Sequence, residues 1–170
     1  QNGSGKTAIV DALYFLQKVM VGADLDQSLE DYMTIDSDTA EIFADFNIFM
    51  YGIVFEIGYT LSLSREEKEI VINREILRSA KNENGIRTNK TTFMDYQRDQ
   101  TDVIFKPQKR LDEILEANKE IKTDLIVARK MAEKSNCSYI FGESSREIFC
   151  REYKNGFQQF SVIISSLFEF

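Results

Sequence analysis

The chain has no histidine, a single proline, only two cysteines and no surplus of positive charge, and each shortage closes a class of function. Without an imidazole there is no Ser-His-Asp triad, no histidine metal site and no histidine acid or base. Cys137 and Cys150 are too few and too far apart for a zinc knuckle or a Cys-x-x-Cys redox pair, and they read as reduced thiols in or near a core. Lys and Arg number 21 against 28 Asp and Glu, a formal net charge of -7, so general coating of DNA is excluded and a polyanion would need a local patch. No apolar run reaches the ~20 residues of a membrane-spanning helix. With no targeting segment before the first motif, the expectation is a cytoplasmic protein that does not enter the membrane.

What is present is a globular balance of 43% hydrophobic and 29% charged residues over 170 positions, enough for one domain with a core. The chain opens on Gln1-Asn2-Gly3-Ser4-Gly5-Lys6-Thr7, in which Gly5, Lys6 and Thr7 fill the last three places of the phosphate-loop pattern G-x-x-x-x-G-K-[ST]. Triphosphate binding requires backbone N–H groups to converge on phosphate oxygens, and so requires a tight turn with small side chains. Gly3, Ser4 and Gly5 meet that need. The Lys6 ammonium suits the β and γ phosphates, and the Thr7 hydroxyl is a hard oxygen ligand for Mg2+. A helix beginning here adds its positive dipole end. The expected nucleotide-binding residues are Asn2, Gly3, Ser4, Gly5, Lys6, Thr7 and Ala8, with Thr7 on the metal.

From Ala8 to Met20 only Asp11, Gln17 and Lys18 are polar, which predicts a helix apolar nearly all round and buried on several sides. The strand that precedes such a helix in a P-loop fold is not among these residues, so the chain alone is expected to bind nucleotide weakly. Residues 22–38 are polar and acidic, with a short helix expected from Leu25 to Met33. Strict alternation then predicts strands at Ala40 to Ile48 and Ile53 to Leu63, continued by Ile70, Ile72 and Ile76. Asn84-Gly85 reads as a turn, Thr91 to Tyr96 as a strand, and Asp102 to Lys106 as a last one. Tight turns between short strands imply an antiparallel meander. Beyond Pro107, apolar residues at three- and four-residue steps predict one amphipathic helix over Lys109 to Ser135, with further helices at Ser144 to Tyr153 and Phe157 to Phe170.

The loop Asn2-Gly3-Ser4-Gly5-Lys6-Thr7 with Ile9, Val10, Asp11, Ala12 and Leu13 resembles the N-terminal lobe of the ABC-type ATPase heads of the SMC and RecF kind, within the broad AAA family of ATPases. Asn73-Arg74-Glu75-Ile76-Leu77 after Tyr59-Thr60-Leu61-Ser62-Leu63 resembles, within that group, the OLD-like (overcoming lysogenization defect) bacterial ATPases. The resemblance implies an α/β protein of α+β character over these residues: a P-loop NTPase head lobe with an antiparallel β subdomain followed by helices, its central sheet incomplete. Its segments are 1–21 for the phosphate loop and first helix, 39–106 for the β subdomain and 107–170 for the helical part. It also implies ATP and Mg2+ as ligands, a homodimer of heads, a nuclease domain or partner, and a role in DNA metabolism or anti-phage defence. The alternatives are a RecF- or SMC-like repair or chromosome ATPase head and a non-catalytic P-loop interaction module.

The departures from the family are specific. No run of four apolar residues is followed by Asp-Glu, and in Asp124-Leu125-Ile126-Val127-Ala128-Arg129 the charges lie on the wrong side for a Walker B strand. There is no Ser-Gly-Gly signature and no switch histidine, so no catalytic residue is assigned. Gln97, Gln100 and Gln108 lie where a Mg-contacting Gln falls in the family and read as loop glutamines. Residues 19–64 hold no Lys or Arg and nine acidic residues, which leaves +2 for the remainder and places any DNA contact elsewhere. The motif cut at its first glycine and the apolar final segment lead to the expectation of a piece of a larger ATPase.

Overall fold

The computed structural model describes residues 4–25, 37–66, 69–98, 100, 104–105, 112, 115–116, 118–152 and 158–168. In chain order the elements are α1 (Ser4–Met20), β1 (Thr39–Met50), β2 (Ile53–Glu66), β3 (Glu69–Glu83), β4 (Ile86–Arg87), β5 (Thr91–Gln97), β6 (Ile104–Phe105), α2 (Lys119–Ser135), α3 (Glu143–Arg151) and α4 (Gln158–Phe168). The short helix expected from Leu25 to Met33 falls almost wholly outside the described residues. The protein is thus mixed α and β, built on one curled antiparallel sheet.

Alternation of apolar and polar residues makes the strands, and turn chemistry joins them. Tyr51 and Gly52 both have positive φ, at 51° and 78°, as do Asn84 and Gly85 at 51° and 79°. Two successive left-handed residues match the twist of a two-residue hairpin turn. The sheet order is β1-β2-β3-β5-β6, with β4 pairing the end of β3, and every pairing is antiparallel. The meander expected from the alternation is therefore present, with its first three strands 12, 14 and 15 residues long.

The alternation is broken by two bulges, one at Phe93 in β5, where Leu77 pairs Met94 but Arg78 pairs Thr92, and one in β3. Ser62 pairs Arg74 but Leu63 pairs Ile72, so Asn73 is an extra residue in β3. A one-residue bulge exchanges the faces of everything beyond it. Ile70 and Ile72 consequently share the core face with Glu75 and Leu77, while Ile76 turns to the other face. That other face carries the polar ladder: Arg74 forks Asp95 at 2.9 and 2.7 Å, Arg87 clasps Glu56, and Lys90 pairs Asp45.

The core lies between the inner face of the sheet and the helices. Tyr59, Leu61, Leu77, Met94 and Tyr96 of the strands meet Phe15, Leu16, Val19 and Met20 of α1 and Ile121, Leu125, Ala128 and Ala132 of α2. Residues 139–141, between α2 and α3, are fully buried, with Phe141 edge-on to Tyr59 at 5.3 Å and Tyr139 stacked on Tyr96 at the same distance. Cys137 is half-buried against this cluster, whereas Cys150 is exposed.

The long helix expected over Lys109 to Ser135 is interrupted. Asn118 has extended backbone, φ −143° and ψ 96°, and its side-chain oxygen accepts from the Glu120 N–H at 3.0 Å. An asparagine side chain competes with the helical carbonyl for that N–H, so the helix restarts here with a cap of its own. Upstream, Asp112, Leu115 and Glu116 are helical.

Candidate phosphate site at the start of the first helix

Of the sequence-predicted residues, Asn2 and Gly3 lie outside the described residues. Ser4, Gly5 and Lys6 form the opening turn of α1, and Thr7 and Ala8 follow on its exposed surface. The backbone N–H groups of a first turn have no partner within the helix and carry its positive dipole end. No acidic side chain occupies that turn of α1 to satisfy or neutralise them. The start of α1 thus combines N–H groups directed along the helix axis, positive potential and an exposed threonine. Chemically it suits an anion.

Helix α1 divides into two halves. Phe15, Leu16, Val19 and Met20 are buried, but Ile9 is 64% exposed, Val10 63% and Leu13 59%. The expected burial on several sides is therefore not met: the C-terminal half is buried along one stripe, with Gln17 exposed, and the N-terminal half is largely exposed. Ile9 and Leu13 share a face with Leu16 and Met20 at three-, four- and seven-residue steps, so what separates the two halves is position along the axis: the core reaches residues 15–20 and not the turns before them.

The far end of α1 is held tightly. Gly22 terminates the helix with φ 68°, and a Cβ there would stand 2.6 Å from the Phe141 carbonyl oxygen, so both conformation and space demand glycine. The Leu25 N–H donates to the Asn136 carbonyl at 2.9 Å, and the Asn136 amide donates back to Leu25 and to the Ile70 carbonyl at 3.2 and 2.6 Å. Asn136 is itself the left-handed C-cap of α2. One residue thus ties the exit of α1, the end of α2 and the start of β3 together.

Beside this knot lies Glu75, a carboxylate with no exposed surface. Its Oε1 accepts from the Tyr59 hydroxyl at 2.6 Å and the Ser138 hydroxyl at 2.5 Å; its Oε2 accepts from the Tyr139 N–H at 2.7 Å and the Ile140 N–H at 3.4 Å. Ser138 in turn accepts from the Phe141 N–H at 2.9 Å. Burial pushes the Glu75 carboxyl up, against the pull of these donors. Burial, then the neighbouring carboxylate, pushes Tyr59 well above its usual range, so Tyr59 stays a donor. The array anchors the turn that receives Gly22. It has no exposed member facing a substrate, and its work is positioning.

A second buried ion sits nearby. Arg129 reaches the carbonyls of Gln97 and Arg98 at 3.3 and 2.5 Å, pairs Glu133 at 2.8 Å and lies 5.8 Å from the Tyr96 ring centre. Gln97 therefore enters the structure through its carbonyl, as the acceptor of Arg129. Gln100 closes a turn by donating its N–H to Gln97 at 3.1 Å, and Gln108 lies outside the described residues.

Sequence reading placed Glu75 only in a strand motif and missed Tyr59, Ser138 and Asn136 as its partners and neighbours. The available signal was an acidic residue in the middle of a β-branched run, where a carboxylate must find donors if it is buried. A cleft of about 400 Å³ between the start of α2 and the end of α3 is lined by Asn118, Glu120, Thr123, Asp124, Arg151 and Glu152. Arg151 is already paired to Asp124 and Glu152, so the cleft is a poor phosphate site. Among the described residues no cluster of three or more acidic or cysteine side chains is arranged to hold a metal ion, and no helix is long and apolar enough to cross a membrane. Compared with known proteins, the chain matches no family model, no curated protein and no solved structure.

Proposed function

We propose that the chain binds Mg-ATP through Asn2, Gly3, Ser4, Gly5, Lys6, Thr7 and Ala8, as the nucleotide-binding part of an OLD-like ATPase. The observation that carries this reading is that the motif residues Ser4-Gly5-Lys6-Thr7 open a 17-residue helix with no acidic residue in its first turn. Lys6 neutralises the terminal phosphates, Thr7 supplies one oxygen to Mg2+, and the N–H groups of the opening turn cradle the chain of phosphates. Preference for an OLD-like protein over an SMC-like head rests on the antiparallel strands that follow α1 in place of a long coiled coil. A nuclease partner and a role in DNA metabolism or defence belong to the same proposal. Phosphoryl transfer needs positioned carboxylates that this sequence does not contain, so the chain is assigned binding and not turnover.

Titration of the chain with Mg-ATP tests the reading. Weak binding is expected, because half of α1 is unsupported on its exposed side. Lys6→Ala should weaken it about tenfold or more by removing a charge-assisted contact, and Thr7→Ala should reduce the dependence on Mg2+ more than the affinity for nucleotide. Binding indifferent to Lys6→Ala overturns the assignment.

A further inference from the structure

Strand β1 closes the sheet on one side, and among the described residues nothing pairs its outer edge. It pairs β2 without a bulge over all 12 residues and contains no proline, lysine or arginine. A bulge, a proline or a lysine is what ordinarily keeps an edge from accepting another strand, and β1 has none of them. Because Met50 and Ile53 close the two-residue turn, the even-numbered residues of β1 direct their N–H and C=O toward β2, and Glu41, Phe43, Asp45, Asn47 and Phe49 direct theirs to the free edge. On the outer face Phe43 is 70% and Phe49 76% exposed, while Ile42, Ala44, Phe46 and Ile48 on the inner face are only partly covered.

The sequence of this edge is symmetric about Phe46: Phe43-Ala44-Asp45-Phe46-Asn47-Ile48-Phe49. We propose that β1 pairs antiparallel with β1 of a second copy of the chain around a two-fold axis at Phe46, joining two sheets into one. In that register Phe43 faces Phe49 of the second copy, Asp45 faces Asn47, Ala44 faces Ile48, and Phe46 faces itself. The parity is self-consistent, since every odd-numbered residue that offers its N–H and C=O to the edge meets another odd-numbered one. About eight backbone hydrogen bonds form across such a seam. The register also fixes the charge pattern. A slip of one residue pair toward the N-terminus would set Asp45 against itself, and like charges directly opposite are unfavourable. The Phe46-centred register avoids this and covers both exposed phenylalanines, as a self-complementary two-fold contact requires. The seam involves no residue of the proposed nucleotide site and stands independently of it.

Sedimentation equilibrium of the 170-residue chain without added nucleotide, over a range of protein concentration, should show a monomer–dimer equilibrium. Asn47→Asp sets two like-charged pairs opposite each other across the seam and should weaken the dimer roughly tenfold. The exchanged variant Asp45→Asn with Asn47→Asp should restore it, because the facing pair is then again one acid and one amide. Hydrogen exchange gives an independent reading on the unaltered protein: the amides of Phe43, Asp45, Asn47 and Phe49 should gain protection as concentration rises. A chain that is monomeric throughout, a dimer indifferent to Asn47→Asp, or edge amides whose exchange ignores concentration would each overturn the proposal. So would saturation of the edge by an added basic peptide with no self-association.

Discussion

Glu75 shows what a single residue contributes when it is both charged and buried. Two hydroxyls and two backbone N–H groups converge on its carboxylate, and each would otherwise be a buried donor without an acceptor. Glu75→Ala is expected to cost roughly 3–5 kcal/mol in urea unfolding, because it orphans those donors as well as removing a side chain. The pH dependence follows from the direction of its shift. Burial raises the folded-state pKa above the ordinary 4.5, so the folded protein holds this proton more tightly than the unfolded chain. Its contribution to stability is complete below pH 4.5 and declines as pH rises through the folded value. Glu75→Gln cannot titrate. Across that window the wild type should lose stability relative to Glu75→Gln, and parallel pH profiles for the two proteins would remove the argument. The acid was visible in the sequence, but its partners lie 16 and 63 to 65 positions away. Nothing local pointed to them.

At the scale of an element, the apolar residues of α1 meet different fates along its length. Leu16 is buried against the sheet and Leu13 is 59% exposed, although both belong to the same apolar run. Leu16→Ala should destabilise the chain by about 2–5 kcal/mol, the usual cost of a core truncation. Leu13→Ala should change thermal unfolding by no more than about 0.5 kcal/mol, as for a surface site. Equal losses would mean that the opening half of the helix is packed as well as its end. Periodicity predicted the helix and its apolar character, but a period does not disclose how far along the helix the core extends. The strands were more legible, because period-two alternation specifies both the element and its buried side. That rule failed at Asn73 in β3 and at Phe93 in β5, where an extra residue reversed the parity. In α2 the apolar spacing continued through Asn118, so the side-chain cap, and not the hydrophobic pattern, decided where the helix begins.

At the scale of the whole molecule, stability is concentrated where the turn at residues 138–142 meets β3 and the exit of α1. The amides of Tyr139 and Ile140, held by Glu75, and those of central β2 and β3 should exchange most slowly with solvent. The amides of residues 9–13 in α1 should exchange fastest among the helices of the core, since their side chains make little buried contact. Slow exchange at residues 9–13 would show that the opening half of α1 is as firmly held as its end. The proposed phosphate site lies in that lightly held half, on a helix fixed mainly from behind through Gly22, Leu25 and Asn136.

By itself the sequence determined the antiparallel strands and their turns and the buried stripe of α2, and it supplied the motif from Asn2 to Ala8 on which the proposed nucleotide site rests. Each of these is written in short-range terms, as a period, a turn dipeptide or a motif of consecutive residues. Only the tertiary structure decided how much of α1 is buried, where the bulges in β3 and β5 turn the faces over, and that Glu75, Tyr59 and Ser138 form one buried array. Those features depend on residues far apart in the chain arriving at the same place, where burial forces every polar group to find a partner.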